Sequence, residues 1–388
     1  MRKKVAVFTS VLLVVTVAFG LRWIAMQRLP IDYDEDDYLG AAIHYANAIR
    51  AGDIVEIVNY EYNFEHPPLI KLFYGLAILP FPEASPLAQK PASAPIAASM
   101  PEPHFHAARL QAVLFGTLEV LVIAMVNPLA GLFLAIDTWQ IKYTSQIMLE
   151  SLPSFTSLLA VYSYIKSRKK FNAWLLLSSV SLGLTVAAKF PYGIAGIAIL
   201  VDWLWPGREA DQLSRAALDA HWFRWILLWG GLSVLIFFAA NPRLWVDPAG
   251  RLIQAIQYHW NYAHSDRIRE VGYPAWQPLI WLFQPVPWHP GVFLIMPDAW
   301  ITILAFLGFR RAWNKERVFP IWLGIALVFL FFWPTKWPQY ILILTAPLCF
   351  CAAEGFQGLV WEPVKAIIVR RRGQKRLIKE KDGSSVTV

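Results

Sequence analysis

The residues best suited to chemistry lie in an acidic segment near the N-terminus. Asp34, Glu35, Asp36 and Asp37 are consecutive, and Tyr38 follows them directly. Crowded carboxylates raise one another's pKa, so a partly desolvated aspartate such as Asp34 can serve as a general base. The alternative is a solvated acidic cluster without a chemical role.

A second candidate is the segment Glu65–Lys71, which reads EHPPLIK. Two consecutive prolines are typical of a helix start, where the first N–H groups lack partners within the helix. Such a helix N-terminus, flanked by His66 and Lys71, predicts an anion site that suits phosphate. The prolines could also begin a helix whose neighbours have no ligand.

Three further charged residues lie at the ends of apolar stretches. Arg109 and Lys189 could each contact a phosphate or simply extend their charge to the membrane surface. Glu150 could be a helix-end carboxylate or a member of an active site. His104 and His106 could bind a metal, but their i, i+2 spacing in a proline-rich loop is a weak pattern, and we predict no metal site.

The composition identifies the elements that must position these residues. Hydrophobic residues make up 57% of the 388 residues and charged residues 16%, against about 25% charged in a typical soluble domain. These values exclude a soluble chain and predict a polytopic membrane protein. The net charge of +8 lies mostly at the two ends, which fits the positive-inside rule and contact with membrane lipids rather than nucleic acid.

Apolar runs predict about ten transmembrane helices, with both termini in the cytoplasm. We expect them near residues 5–26, 109–126, 128–147, 152–167, 172–188, 191–206, 223–240, 293–310, 318–334 and 338–360. Residues 1–360 then form one all-α transmembrane domain, and residues 361–388 form a basic cytoplasmic tail. Glu119 and Asp137 fall near the middle of predicted spans, where we expect each to hydrogen-bond a neighbour.

Two large outer loops are predicted, at about 27–107 and about 241–290. The segment 32–66 contains nine carboxylates and one arginine, a balance that favours the outer face. Within the first loop we expect a short amphipathic helix at 38–50, an interfacial helix at 67–79 and a flexible surface loop at 80–103.

In chain order, these motifs resemble the protein O-mannosyltransferase family and its bacterial relatives, which include the aminoarabinose transferases. These proteins are GT-C membrane glycosyltransferases. The resemblance rests on an Asp-Glu-x-x-aromatic motif, a His-Pro-Pro-Leu segment, an arginine that opens the second span, an acidic residue before serine, and a Lys-x-x-x-Tyr motif near the last spans. The matching residues are Asp34, Glu35, Tyr38, the segment Glu65–Leu69 with Lys71 following, Arg109, Glu150, Ser151, Lys336, Tyr340 and Pro347.

The resemblance implies an inverting glycosyltransferase in the cell membrane with an outward-facing active site. Its donor would be a polyprenyl-phosphate sugar, its acceptor a hydroxyl group of a protein, lipid or glycan, and no cofactor or metal would be required. Asp34 and Glu65 would be catalytic, and four residues would hold the donor phosphate: His66, Lys71, Arg109 and Lys189. Further site candidates are Glu35, Tyr38, Glu150, Lys336 and Tyr340.

Two other classes of protein remain to be weighed. A transporter or flippase of lipid-linked sugars explains ten helices and intramembrane acids, but it predicts a polar path that reaches both sides of the membrane. A non-catalytic assembly protein gives no reason for an intact Asp34, His66 and Arg109. The enzyme predicts that Asp34, Glu65 and Arg109 converge on one outer cavity.

Overall fold

The chain folds into helices throughout the part that the structure describes, and no strand occurs there. The computed structural model describes residues 2–87, 96–167, 170–205, 221–287, 289–293, 295–361 and 363. The predicted basic tail therefore lies almost entirely outside the described residues. The all-α fold class predicted from composition is confirmed.

The first half of the chain forms nine helices, and the second half forms eight, within the described residues. The first nine are α1 (Arg2–Arg28), α2 (Glu35–Ala51), α3 (Ile54–Asn59), α4 (Leu69–Ile78), α5 (His104–Val126), α6 (Pro128–Ile136), α7 (Thr138–Tyr143), α8 (Ser151–Ser167) and α9 (Ala173–Ala188). The others are α10 (Ile194–Leu204), α11 (His221–Ala239), α12 (Pro248–Ala263), α13 (Asp266–Val271), α14 (Gln277–Phe283), α15 (Asp298–Glu316), α16 (Val318–Phe332) and α17 (Leu342–Phe356). Short 3₁₀ helices precede α10, α12 and α17 at Phe190–Gly193, Pro242–Trp245 and Pro338–Ile341.

Several of these helices are suited to a membrane. Three are long and apolar enough to cross it, at Val5–Arg28, His104–Val126 and Pro338–Val360. Five shorter apolar helices accompany them, at Leu69–Ile78, Ala173–Ala188, Phe190–Leu204, Phe223–Ala239 and Val318–Phe332. The chain is accordingly a multi-pass membrane protein.

The predicted span 128–147 is wrong as a single helix. Asp137 ends α6, and its side chain accepts a hydrogen bond from the backbone N–H of Gln140, which starts α7 as a separate helix. The predicted span 293–310 is displaced, because its helix α15 begins only at Asp298. The other predicted spans coincide with helices or with a helix and its adjoining 3₁₀ turn.

The first predicted outer loop contains more packed structure than expected. The amphipathic helix expected at 38–50 is α2, and the helix expected at 67–79 is α4. Helix α4 packs against α2 and α5, burying Ile70, Tyr74 and Ile78. In the loop expected at 80–103, residues 88–95 lie outside the described part of the chain, while Phe81 and Ala84 accept hydrogen bonds from Arg50 and Asn47.

A buried polar network holds the middle of the bundle together. Arg22 of α1 is fully buried and donates from Nε to Thr144 Oγ1 at 2.8 Å, passing beside Gly116, where a Cβ atom would lie 2.8 Å from that Nε. Glu119 accepts from Gln140 Nε2 at 3.2 Å. The expectation that Glu119 and Asp137 hydrogen-bond a neighbour is confirmed: Glu119 joins α5 to α7, and Asp137 caps the start of α7.

Candidate active site

One cavity of about 680 Å³ opens at the end of the bundle where α1 ends and α5 begins. Its walls come from the α1–α2 connection, the segment before α4, α7, the end of α9, α12 and the 335–340 turn. Six of the predicted site residues line it: Asp34, Tyr38, Glu65, His66, Lys189 and Tyr340. Sequence reasoning therefore brought together residues that lie more than 300 positions apart.

Asp34 occupies the N-cap position of α2, but its side chain makes no capping hydrogen bond. Burial is the largest influence on its carboxyl group, followed by the nearby charges of Asp32 and Asp37, and together these raise its pKa to about 7. Lys189 acts in the opposite direction. A carboxylate with a pKa near neutrality suits general-base catalysis, because it can both ionise and accept a proton readily.

Glu35 and Arg109 do not line the cavity but form a buried ion pair next to its wall. The Arg109 guanidinium donates to both Glu35 carboxylate oxygens, at 2.8 and 2.5 Å. Its remaining N–H groups donate to the carbonyl oxygens of Met26, Leu29 and Pro30. All five donors of Arg109 are thereby used, so this geometry does not support the predicted contact between Arg109 and a phosphate.

Glu35 in turn fixes the loop that carries Asp34. Its carboxylate accepts from the backbone N–H of Asp32 at 2.8 Å and of Ile147 at 2.7 Å. Asp34 therefore sits in a turn whose backbone is tied to α5 and to the segment after α7. The Asp-Glu motif combines a residue that faces the cavity with one that holds the turn in place.

The Glu65–Lys71 segment splits in a similar way. Lys71 is buried and donates from Nζ to the carbonyl oxygens of Asn63 and His66 at 2.7 and 3.1 Å, and burial lowers its pKa to about 8. It shapes the turn and does not line the cavity. Burial, together with the charge of Lys189 and the neighbouring His259, holds the pKa of His66 well below its ordinary value. His66 therefore faces the cavity as a neutral ring, which can still donate a hydrogen bond to an anion.

Lys189 is a buried cation that lines the cavity. It ends α9, pairs with the buried Glu150 carboxylate, and places its Nζ 4.8 Å from the centre of the Tyr340 ring. Glu150 lies behind it, outside the lining. Lys336 donates to the carbonyl oxygens of Phe331 and Trp333 at the end of α16, which indicates a helix-capping role.

Sequence reasoning did not single out several residues that also line the cavity. They are Asp32, Tyr62, Lys142, Tyr143, Tyr258, His259, Tyr262 and Arg267. Asp37, which was named only as part of the acidic segment, lines the cavity as well. Tyr258, His259 and Tyr262 belong to α12. Tyr262 follows Tyr258 by four residues and His259 by three, so the three side chains lie on one side of the helix. That spacing, within the large predicted loop 241–290, was the feature of the sequence that could have indicated a helix facing the site.

The described residues contain no cluster of three or more His, Cys, Asp or Glu side chains arranged for a metal ion. His104 and His106 lie in the first turn of α5 rather than in a loop, and they have separate partners. His104 Nε2 lies 2.8 Å from the Pro82 carbonyl oxygen, and His106 Nδ1 lies 2.7 Å from Glu102. The loop placement was wrong, because helix α5 begins five residues before Arg109.

The cavity lining combines positively charged, ionisable acidic and neutral hydrogen-bonding groups. Lys189 and Arg267 supply positive charge, while Asp34 supplies a carboxyl group with a raised pKa and Tyr38, His66 and Tyr262 supply neutral hydrogen-bonding groups. These groups line one enclosed wall at a single end of a helical membrane bundle. The fold is of the GT-C type, as solved structures with the same helical arrangement show.

Solved structures have the same fold at low sequence identity. The crystal structure of ArnT from Cupriavidus metallidurans bound to undecaprenyl phosphate matches with a TM-score of 0.62, 19% identity and coverage of 94% of this chain. This chain spans 64% of the length of that ArnT. The oligosaccharyltransferase of Archaeoglobus fulgidus in its apo form matches with a TM-score of 0.54, 12% identity and coverage of 95% of this chain and 52% of the other. No protein-family profile and no curated protein sequence matches this chain.

Proposed function

We propose that the protein is an inverting glycosyltransferase that moves a sugar from a polyprenyl-phosphate donor to an acceptor hydroxyl at the outer face of the cell membrane. The observation that carries the proposal is the shared cavity of Asp34 and Lys189, a base with a raised pKa and a buried cation. The likeness of the fold to an ArnT bound to undecaprenyl phosphate supports a lipid-linked donor. The acceptor is a hydroxyl group on a protein, lipid or glycan.

The proposed reaction divides the cavity into two parts. Asp34 removes the proton of the acceptor hydroxyl, whose oxygen attacks the anomeric carbon from the side opposite the phosphate. The bond from that carbon to the phosphate oxygen breaks, and the phosphate leaves with the electron pair. We assign the departing phosphate to Lys189 and Arg267, with neutral His66 as a hydrogen-bond donor, because charge-assisted contacts stabilise developing negative charge. Glu65, which also lines the cavity, would contact the sugar or the acceptor.

Recognition of the donor must rest mainly on the phosphate and the sugar. The polyprenyl chain already lies in hydrocarbon, so moving it into a groove between helices gains little hydrophobic free energy. A monophosphate leaving group carries less charge than a nucleotide diphosphate. Two cationic side chains can therefore meet its electrostatic requirement without a metal ion.

The alternative function is transport or flipping of a lipid-linked sugar. Such a protein needs a polar path from the cavity to the opposite end of the bundle. Below the cavity, the described polar side chains Arg22, Glu119 and Gln140 are buried and bonded within the bundle. This closed arrangement favours the enzyme.

The deciding experiment is sugar transfer from a polyprenyl-phosphate sugar in nanodiscs, with donor binding measured separately. Asp34→Asn keeps the side-chain volume but removes the base, so turnover should fall by at least about a hundredfold while donor binding persists. Asp36→Asn is the matched control, because Asp36 lies two residues away and does not line the cavity. It should change turnover only a few-fold. Normal turnover by Asp34→Asn would remove the proposed base and with it this mechanism.

A further inference from the structure

Helix α12 presents one face to the cavity and a different face to its surroundings. Tyr258, His259 and Tyr262 line the cavity. On the same side, Arg251 donates from Nη1 to the carbonyl oxygens of Val58 and Arg243, both at 2.7 Å. This side of α12 is therefore fixed to the protein and forms a wall of the proposed active site.

The opposite face of α12 is apolar and exposed. Ile253, Ile256 and Trp260 are spaced by three and four residues, so they lie on one face of the helix. Their exposed fractions are 53%, 60% and 67%. Gln257 and Asn261, which are also exposed, lie on a third face between the other two. The helix thus has a protein face, an apolar face and a polar face.

The length and charge of α12 point to a membrane surface as the occupant of the apolar face. Its 16 residues extend about 24 Å at about 1.5 Å per residue, which is too short to cross a bilayer core of about 30 Å. It contains no Asp or Glu, and Arg251 is its only Lys or Arg residue. Helices of this kind lie in the plane of the headgroup boundary with their apolar face towards the acyl chains.

The chain reaches α12 directly from α11, an apolar helix whose exposed side chains suit contact with lipid. Helix α11 is one of the apolar helices of the bundle, and it exposes Val234 and Leu235 at 66% and 60%. Exposed Trp245 and Val246 follow between α11 and α12, and the Trp245 indole donates to the Phe238 carbonyl oxygen at 3.0 Å. Exposed apolar side chains therefore occur on α11, in the connection that follows it and on α12.

We propose that α12 lies in the membrane–water interface on the outer face of the cell membrane. Contact of Ile253, Ile256 and Trp260 with lipid then holds the opposite side of the helix, which carries Tyr258, His259 and Tyr262, in the cavity wall. The bilayer thereby stabilises one wall of the active site. The cavity lies at the level of the lipid headgroups, where the phosphate of a lipid-linked donor is also located. The second part of this inference rests on the proposed glycosyltransferase function; the membrane placement of α12 does not.

Fluorescence quenching tests the membrane placement without substrate. A single cysteine is introduced at position 253, 256 or 260, or at the control positions 257 and 261, after the buried Cys349 and Cys351 are replaced. Each variant is labelled with bimane and reconstituted in nanodiscs. Brominated lipids should quench labels at 253, 256 and 260, and aqueous iodide should quench labels at 257 and 261. Equal quenching by iodide at all five positions would overturn the placement, and protection of the apolar face from both quenchers would assign it to a protein partner.

Kinetics tests the link to the cavity. Ile256→Asp should lower kcat/KM for the polyprenyl-phosphate donor about fivefold or more, mainly through KM. The control Gln257→Asp adds the same charge one residue away on the polar face and should stay close to wild type. Both variants are compared for thermal stability, so that unfolding is recognised. Wild-type kinetics for a stably folded Ile256→Asp would refute the link to the cavity while leaving the glycosyltransferase proposal intact.

Discussion

Glu35 and Arg109 join the start of α2 to the first turns of α5 through two parallel hydrogen bonds between fully buried side chains. The same guanidinium caps the C-terminal end of α1 by donating hydrogen bonds to three backbone carbonyl oxygens. Three helices and the Asp34 turn therefore depend on one ion pair. The contacts of this pair are structural, and they position the turn that carries Asp34.

Arg109→Ala should destabilise the fold rather than only weaken donor binding. The substitution leaves the Glu35 carboxylate buried without its partner, which typically costs roughly 3–5 kcal/mol. Thermal unfolding in detergent measures the loss. The control is Arg269→Ala, because Arg269 pairs with Asp266 on the surface with both side chains more than two-thirds exposed, and such pairs contribute about 0–1 kcal/mol. An Arg109→Ala protein with normal stability and impaired donor binding would restore Arg109 as a phosphate ligand.

The raised pKa of Asp34 predicts opposite effects of pH on activity and stability. The base must be ionised to accept a proton, so kcat/KM should fall as the pH decreases through about 7. The fold favours protonated Asp34, so its ionisation reduces stability progressively as the pH rises from its unfolded value, about 3.9, to about 7. Asp34→Asn should therefore raise Tm at pH 8 and have almost no effect on Tm at pH 4. An acid limb that persists in the residual activity of Asp34→Asn would assign that limb to another group.

The order of motifs along the chain predicted much of the cavity lining, because the resemblance links residues that are distant in sequence. Asp34 and Glu65 were found in this way, whereas Lys189 was noted only from its position at the end of an apolar stretch. The roles of Arg109 and Lys71 could not be predicted, since a sequence does not show that a cation's donors are taken by backbone carbonyl oxygens. The α12 wall was missed for a related reason: its register against the first outer segment depends on tertiary contacts.

The boundaries of the membrane spans also depend in part on tertiary structure, which composition does not reveal. Hydropathy predicted the apolar stretches, but it could not show that Asp137 would cap α7 and break one span into two helices. It also placed an interfacial helix at 67–79, where α4 buries one side within the bundle. Apolar composition alone does not distinguish a lipid-facing helix from a helix packed against protein.

Removal of divalent metal ions should leave sugar transfer largely intact. The proposed phosphate contacts are Lys189 and Arg267. On this proposal they supply the positive charge that a metal ion would otherwise provide. The measurement is transfer activity before and after treatment with EDTA, in detergent and in nanodiscs. Activity that disappears in EDTA and returns with one particular divalent ion would require a different account of the leaving group.

Variants of the Lys189–Glu150 ion pair can separate an effect on donor binding from an effect on the stability of the fold. Lys189→Met alone should weaken donor binding and also reduce stability, because Glu150 remains buried without its cation. Adding Glu150→Gln replaces that carboxylate by a neutral group of similar size and should restore most of the lost stability. Donor binding should stay impaired by roughly 1.5–3 kcal/mol, the worth of a charge-assisted contact to phosphate. Lys336→Met is the control cation, since Lys336 contacts carbonyl oxygens at the end of α16. Recovery of donor affinity together with stability in the double variant would show that Lys189 holds the fold and not the phosphate.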